Sequence, residues 1–119
     1  WAEEIHSLLK EAQRRGMDAI ASGKKGSEVD AASRSYLEEE GYGEFFPHGL
    51  GHGLGLELHE APRLSRAAEQ KLCEGDVVTV EPGIYIAGKG GLRLEDDCTV
   101  TGEGCDVLSS AIPRELFIV

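Results

Sequence analysis

The texture of this chain changes once, near Tyr42, and that change limits what it can fold into. Before it, apolar residues recur at helical spacing; after it, glycines and short alternating runs take over. Trp1, Ile5, Leu8, Leu9, Ala12 and Ile20 share one face of a helix expected over residues 1–21, with Gly16 weakening its middle. Residues 22–26 read as a stop and a loop. Ser27 followed by Asp30 resembles a capping box with a shortened acid, and Val29, Ala32, Tyr36 and Leu37 continue a second helix to Glu40. Beyond Tyr42, Leu54, Leu56 and Leu58 alternate with Gly55, Glu57 and His59, a half-buried strand that sets Glu57 and His59 opposite the leucines. Residues 61–75 read as a loop with a short helical turn. Val77–Val80, Ile84–Ile86, 92–100 and 106–109 read as further strands, with a turn over 88–91 and a hairpin turn over 101–104. Two helices followed by several strands give an α+β fold with an antiparallel sheet, in one domain spanning 1–119.

Composition excludes several functions. The net charge of −10 argues against partners such as nucleic acid or an anionic membrane surface. No apolar run approaches the roughly 18 residues that a bilayer requires, and no signal peptide is visible. Cys73, Cys98 and Cys105 are odd in number and lack CxxC spacing, so reduced thiols in a cytoplasmic protein are expected. The chain starts at Trp1, inside a helical pattern and without an initiator Met, so a truncated or processed chain is expected.

The chemistry concentrates in His48-Gly-Leu-Gly-His52-Gly-Leu-Gly-Leu-Glu-Leu-His59-Glu60. Imidazole is a common metal ligand and a ready proton carrier. Glycines beside His52 leave room for a metal or substrate to approach the backbone. His52 suits a metal ligand; the alternative is an exposed turn histidine. His48 and His59 are candidates for further ligands or proton-transfer groups, or are hydrogen-bonded structural histidines. The stretch is too glycine-rich for the helical geometry of HExxH. Glu81 precedes Pro82-Gly83 at a strand end and is either a ligand or a solvated turn carboxylate. Glu95 lies two residues after Arg93 on the same strand face and is either a ligand or half of a surface ion pair. Asp96 and Asp97 remain candidates beside it, and spacing does not choose among the three.

Taken together, His48 to Pro62, Val80-Glu81-Pro82-Gly83-Ile84-Tyr85 and Leu92-Arg93-Leu94-Glu95-Asp96-Asp97 resemble the pita-bread metallopeptidase family, which includes methionine aminopeptidase, prolidase and aminopeptidase P. Gly26-Ser-Glu-Val-Asp30 and Gly41-Tyr42-Gly43 resemble it as well. His48, four residues before His52, and the run Arg93 to Asp97 resemble the Xaa-Pro peptidase branch. The resemblance implies a pita-bread fold and hydrolysis of an amino-terminal Xaa-Pro bond, in a peptide with proline at the second position. It implies His52, Glu81 and Glu95 as ligands of a centre of two divalent metals (Mn, Co or Zn). Glu81 would also carry a proton, His48 and His59 would hold substrate, and Arg93 would orient the acidic site from behind the ligands.

One part of the family pattern has no counterpart here. The family uses five ligands, two of them aspartates from an upstream strand region, and nothing in residues 1–47 resembles that region. Asp18 lies in a helical pattern, and Asp30 is assigned to the helix cap. The expectation is therefore the C-terminal half of a pseudo-two-fold catalytic domain, without its N-terminal half and accessory domain. Such a half would be inactive alone and would pair with the missing half or with a second copy as a homodimer. The alternative is a non-catalytic module that kept the fold and binds peptide or protein.

Overall fold

Helix α1 spans Ala2–Asp18 in the computed structural model, which describes residues 1–119. Its inward face carries Ile5, Leu9, Ala12 and Gly16, the 3.6-residue stripe read from the sequence. Ala19 then turns the chain back by donating to the carbonyls of Arg15 and Gly16. The helix therefore ends short of the predicted residue 21, and Ile20 enters the core from beyond it. Gly16 has a packing use. A Cβ at this position would lie 2.9 Å from Leu50 Cδ2 and 3.4 Å from Val80 Cγ1. The glycine that weakens the helix is what allows it to close on the sheet.

Helix α2 spans Gly26–Glu39 and packs along α1. Its first free amides bond to a loop: Gly26 donates to the carbonyl of Gln70 and Ser27 to that of Ala68. The Glu28 carboxylate accepts the Lys25 N–H at 2.8 Å. The expected Ser27–Asp30 box does not form, because the cap position falls two residues earlier, at Lys25, and Ser27 already lies inside the helix. Asp30 instead faces inward and is only 1% exposed.

Seven strands follow, after a 3-10 turn at Gly43–Phe45. They are β1 Gly51–Gly53, β2 Glu60–Leu64, β3 Val77–Val80, β4 Gly83–Ile86, β5 Gly90–Arg93, β6 Asp96–Val100 and β7 Cys105–Val107. Five form one antiparallel sheet in the order β2-β1-β3-β6-β7, and β4 and β5 form a separate pair. Val78, Val80, Cys98 and Val100 line the buried face of the sheet and join Ile5, Leu9, Val29 and Leu37 of the helices in one core. Burying each of these larger side chains contributes about 1.5–3 kcal/mol. The fold is α+β, two helices packed on an antiparallel sheet, as the segment order predicts.

Three strand expectations are corrected. Residues 54–59 are not a strand: they reverse the chain between the antiparallel neighbours β1 and β2, and Leu56 and Leu58 are 106% and 70% exposed. Glu57 and His59 are also exposed, so the alternation does not divide a buried face from a wet one. The reversal is held by the Glu57 N–H donating to the Glu60 carboxylate. Within 61–75, most of β2 occupies what was expected to be loop. Finally, the strand expected over 92–100 is two strands in different sheets, interrupted at Leu94 and Glu95.

Candidate active site

The last of these corrections locates the site. β3 and β6 pair from Val77↔Thr99 to Val80↔Asp96, and β4 and β5 pair from Gly83↔Arg93 onward. The antiparallel arms therefore break at one level, Glu81-Pro82 on one arm and Leu94-Glu95 on the other. Pro82 cannot donate a ladder bond, and the Leu94 N–H reaches its carbonyl at 3.2 Å. Two carboxylates flank this break, released from the regular ladder.

The same register brings His52 to them. Gly53 lies opposite Val78, which sets His52 beside Thr79 on the face turned away from the helices. Close approach of strands explains the flanking glycines. A Cβ on Gly51 would lie 1.8 Å from the carbonyl oxygen of Thr79, and one on Gly53 would lie 2.2 Å from that of Ala61. The space beside His52 is filled by neighbouring backbone, not left for a ligand as the sequence reading expected.

His52 is 8% exposed. Its Nδ1 lies 2.9 Å from the Gly53 carbonyl, which can only accept, so Nδ1 carries a proton. Nε2 then faces Glu81 Oε1 at 3.1 Å. An imidazole nitrogen directed at a carboxylate requires a positive charge between or upon them, either a proton or a metal ion. Thr79 joins the two residues: its hydroxyl accepts the His52 N–H at 3.1 Å and donates to Glu81 Oε1 at 2.9 Å. Arg93 stands between the acids, 3.7 Å from Glu81 Oε2 and 3.7 Å from Glu95 Oε2. Burial and the nearby Glu81 charge raise the Glu95 carboxyl above its ordinary range, against the pull of Arg93. His59 packs on His52 with ring centroids 4.4 Å apart.

His48 stands apart from this cluster and meets a different partner. Its Nδ1 lies 2.8 Å from the Gly49 carbonyl, so Nε2 accepts the Tyr85 hydroxyl at 2.9 Å. His48, His52, His59, Arg63, Glu81 and Arg93 nevertheless line one groove of about 600 Å³ with no apolar side chain in its wall. Glu95, which pairs with Arg93, is not among the residues that line it. Asp96 and Asp97 separate from Glu95: Asp96 turns into the core side, 3% exposed, where Ser109 and Arg114 hold it. Asp97 offers its N–H to Ser109.

The sequence reading missed Thr79, Tyr85 and Arg63. Thr79 had a usable signal, since it lies two residues before Glu81 on the same strand face. Tyr85 and Arg63 are placed by pairings of β4 and β2 that no local pattern specifies.

One imidazole nitrogen and two carboxylates are by type the donors that a divalent ion takes. No three His, Cys, Asp or Glu side chains gather at the spacing of a metal centre; the Arg93 guanidinium occupies the position between the acids.

Known proteins are similar to this chain in sequence and fold. The sequence profile of metallopeptidase family M24 matches residues 1–102. An Xaa-Pro dipeptidase of Pyrococcus furiosus is 46% identical over 114 residues, which cover 96% of this chain and 32% of that protein. The X-Pro aminopeptidase of Thermotoga maritima superposes with a TM-score of 0.94 at 45% identity, covering 99% of this chain and 33% of that one. The Xaa-Pro dipeptidase of Bacillus anthracis does so with a TM-score of 0.95 at 51% identity, with the same coverage. The chain thus spans about a third of the length of these relatives and has the architecture of part of a pita-bread domain. On its fold, its His–Glu constellation and these matches, the chain belongs to metallopeptidase family M24.

Proposed function

We propose that this chain carries the His52, Glu81 and Glu95 side of a divalent-metal centre in an Xaa-Pro peptidase, the remaining ligands coming from outside these 119 residues. The observation that carries the reading is the buried His52–Glu81 contact, with Nδ1 of His52 bound to Gly53 so that Nε2 is the nitrogen presented to a cation. Divalent ions, when bound, supply polarisation of the scissile carbonyl and activation of water. The chain's own groups do the rest. Glu81 holds or passes a proton at Oε1, where the Thr79 hydroxyl fixes it. Arg93 restrains both carboxylates against mutual repulsion. His59, exposed beside His52, donates to a substrate oxygen. His48 lines the same groove, and its Nε2 turns to the peptide when the Tyr85 hydroxyl releases it.

The substrate class under this reading is a peptide with proline at the second position, and the partners are the complementary part of the catalytic domain or a second copy of the chain. Exposed Leu56, Leu58, Phe117 and Ile118 supply apolar surface for such contact. The test is manganese-dependent release of the amino-terminal residue from Ala-Pro by the full-length parent and by the 119-residue chain. The expected result is turnover by the parent, lost in Glu81→Gln, and none by the chain alone. Turnover by the chain alone, lost in Glu81→Gln, would overturn the division of the site. Equal rates on Ala-Pro and Ala-Ala would overturn the substrate class.

A further inference from the structure

We propose that the buried Asp30–Arg34 pair of α2 is the positioning device for His48, a side-chain clamp on the loop that leads into β1. Residues 46–50 run into β1 outside the regular ladder, and only the Leu50 carbonyl is taken by the strand region, through the N–H of Glu81 at 2.7 Å. The pair supplies partners for the rest. Arg34 donates from Nη1 to the carbonyl of Phe46 at 2.9 Å and from Nη2 to that of His48 at 2.7 Å. Asp30 Oδ1 accepts the N–H of Leu50 at 2.9 Å. The contacts fall on every second residue, two carbonyls and then an N–H, and they hold the chain where it bends at His48 and Leu50.

The pair is built for this position. Arg34 is 5% and Asp30 1% exposed. They join through two bonds, Nε to Oδ2 at 2.7 Å and Nη2 to Oδ1 at 2.9 Å. The planar fork satisfies both the acid and the loop carbonyls, which a lysine ammonium cannot do in the same geometry. The guanidinium also lies 4.1 Å from the Phe46 ring centre, and that ring meets His48 edge-on at 5.1 Å. A contact path therefore runs from α2 through Arg34 and Phe46 to His48, with Tyr85 holding the far side of the imidazole. A single donor from Tyr85 leaves the backbone of His48 free to shift, whereas the fork fixes that backbone.

The functional weight of this device rests on the reading of His48 as a substrate-facing group, but its test needs neither substrate nor metal. It uses amide exchange and imidazole nitrogen spectra of the 119-residue chain, in Arg34→Lys, Asp30→Asn and Tyr85→Phe. In Arg34→Lys the Leu50 amide should lose about tenfold or more of its protection while amides of α1 keep theirs, which marks local opening. The His48 ring should pass from one tautomer to a mixture. Should Arg34→Lys fail to fold, Asp30→Asn, which sets an amide NH2 against Nε of Arg34 and so breaks the fork, carries the same expectation. Unchanged Leu50 protection and an unchanged His48 tautomer in a folded variant would overturn the proposal. So would equal loss of protection in α1, or a tautomer that responds to Tyr85→Phe alone. In the parent enzyme, His48→Ala with undiminished turnover would remove the reading of His48 and leave the clamp standing.

Discussion

Thr79 carries one hydroxyl on which two neighbours depend. At 2% exposed, it is the acceptor for the His52 N–H and the donor to Glu81. Thr79→Val keeps the shape and leaves the buried N–H without its partner, at a cost of about 1–3 kcal/mol. Thr79→Ser keeps the hydroxyl and should recover most of that loss. Urea denaturation of both variants checks this, and equal stability of Thr79→Val and the parent chain would contradict it. At this scale the sequence was informative where residue type implies chemistry. His52, Glu81, Arg93 and Glu95 stand out by type and motif, and they lie along one continuous set of contacts. Thr79 in a Val-Val-Thr-Val run reads as a strand former, because β-branched residues favour strands for reasons unrelated to catalysis. Asp30 and Arg34 read as an ordinary i,i+4 helix pair; burial distinguishes them, and burial depends on loop 46–50.

The elements were legible where their periodicity reflects packing. Both helices, apart from their ends, and the Val77–Val80 strand are legible because each buries one face against the same core. Residues 54–59 alternate just as well, yet they form a reversal. Alternation describes a face and does not supply a neighbour to cover it. The break at Glu81 and Leu94-Glu95 was half visible: Pro82-Gly83 interrupts one arm, while nothing local marks the other, whose interruption follows from pairing with the first. On the outer face of α1, Glu11 bonds Arg14 and Arg15, and these bonds, Arg14 first, hold its carboxyl down at about 2, from an ordinary 4.5. A depressed carboxyl pKa means that the folded state binds this proton less readily than the unfolded state. The contribution is therefore present above 4.5 and is lost as pH falls through about 2. A carbon-detected titration of Glu11 should give a midpoint well below the ordinary 4.5, and a midpoint at 4.5 would contradict the cluster.

For the whole molecule, a compact core coexists with an apolar surface that the core does not use. Leu56 and Leu58 project from the reversal beside the site, and Phe117 and Ile118 from the end of the chain. Such surface favours association, and a two-fold dimer is the commonest closed form. Sedimentation at micromolar concentration should give a mass about twice the 12.8 kDa of the chain; 12.8 kDa throughout the range would contradict pairing. Under the proposed function, residues from three separate segments act on one cation: His52 from β1, Glu81 just past β3 and Glu95 just before β6. The most direct measurement is titration of the chain with manganese while its imidazole and carboxylate resonances are observed. Saturable broadening is expected at His52, Glu81 and Glu95 together, with release of the proton shared between Nε2 and Glu81 as the metal takes its place. Binding should therefore strengthen as pH rises. The broadening at His52 should weaken in Glu81→Ala and in Glu95→Ala alike. Broadening centred on the exposed acids of α2, or a response at His52 that neither substitution alters, would contradict the account.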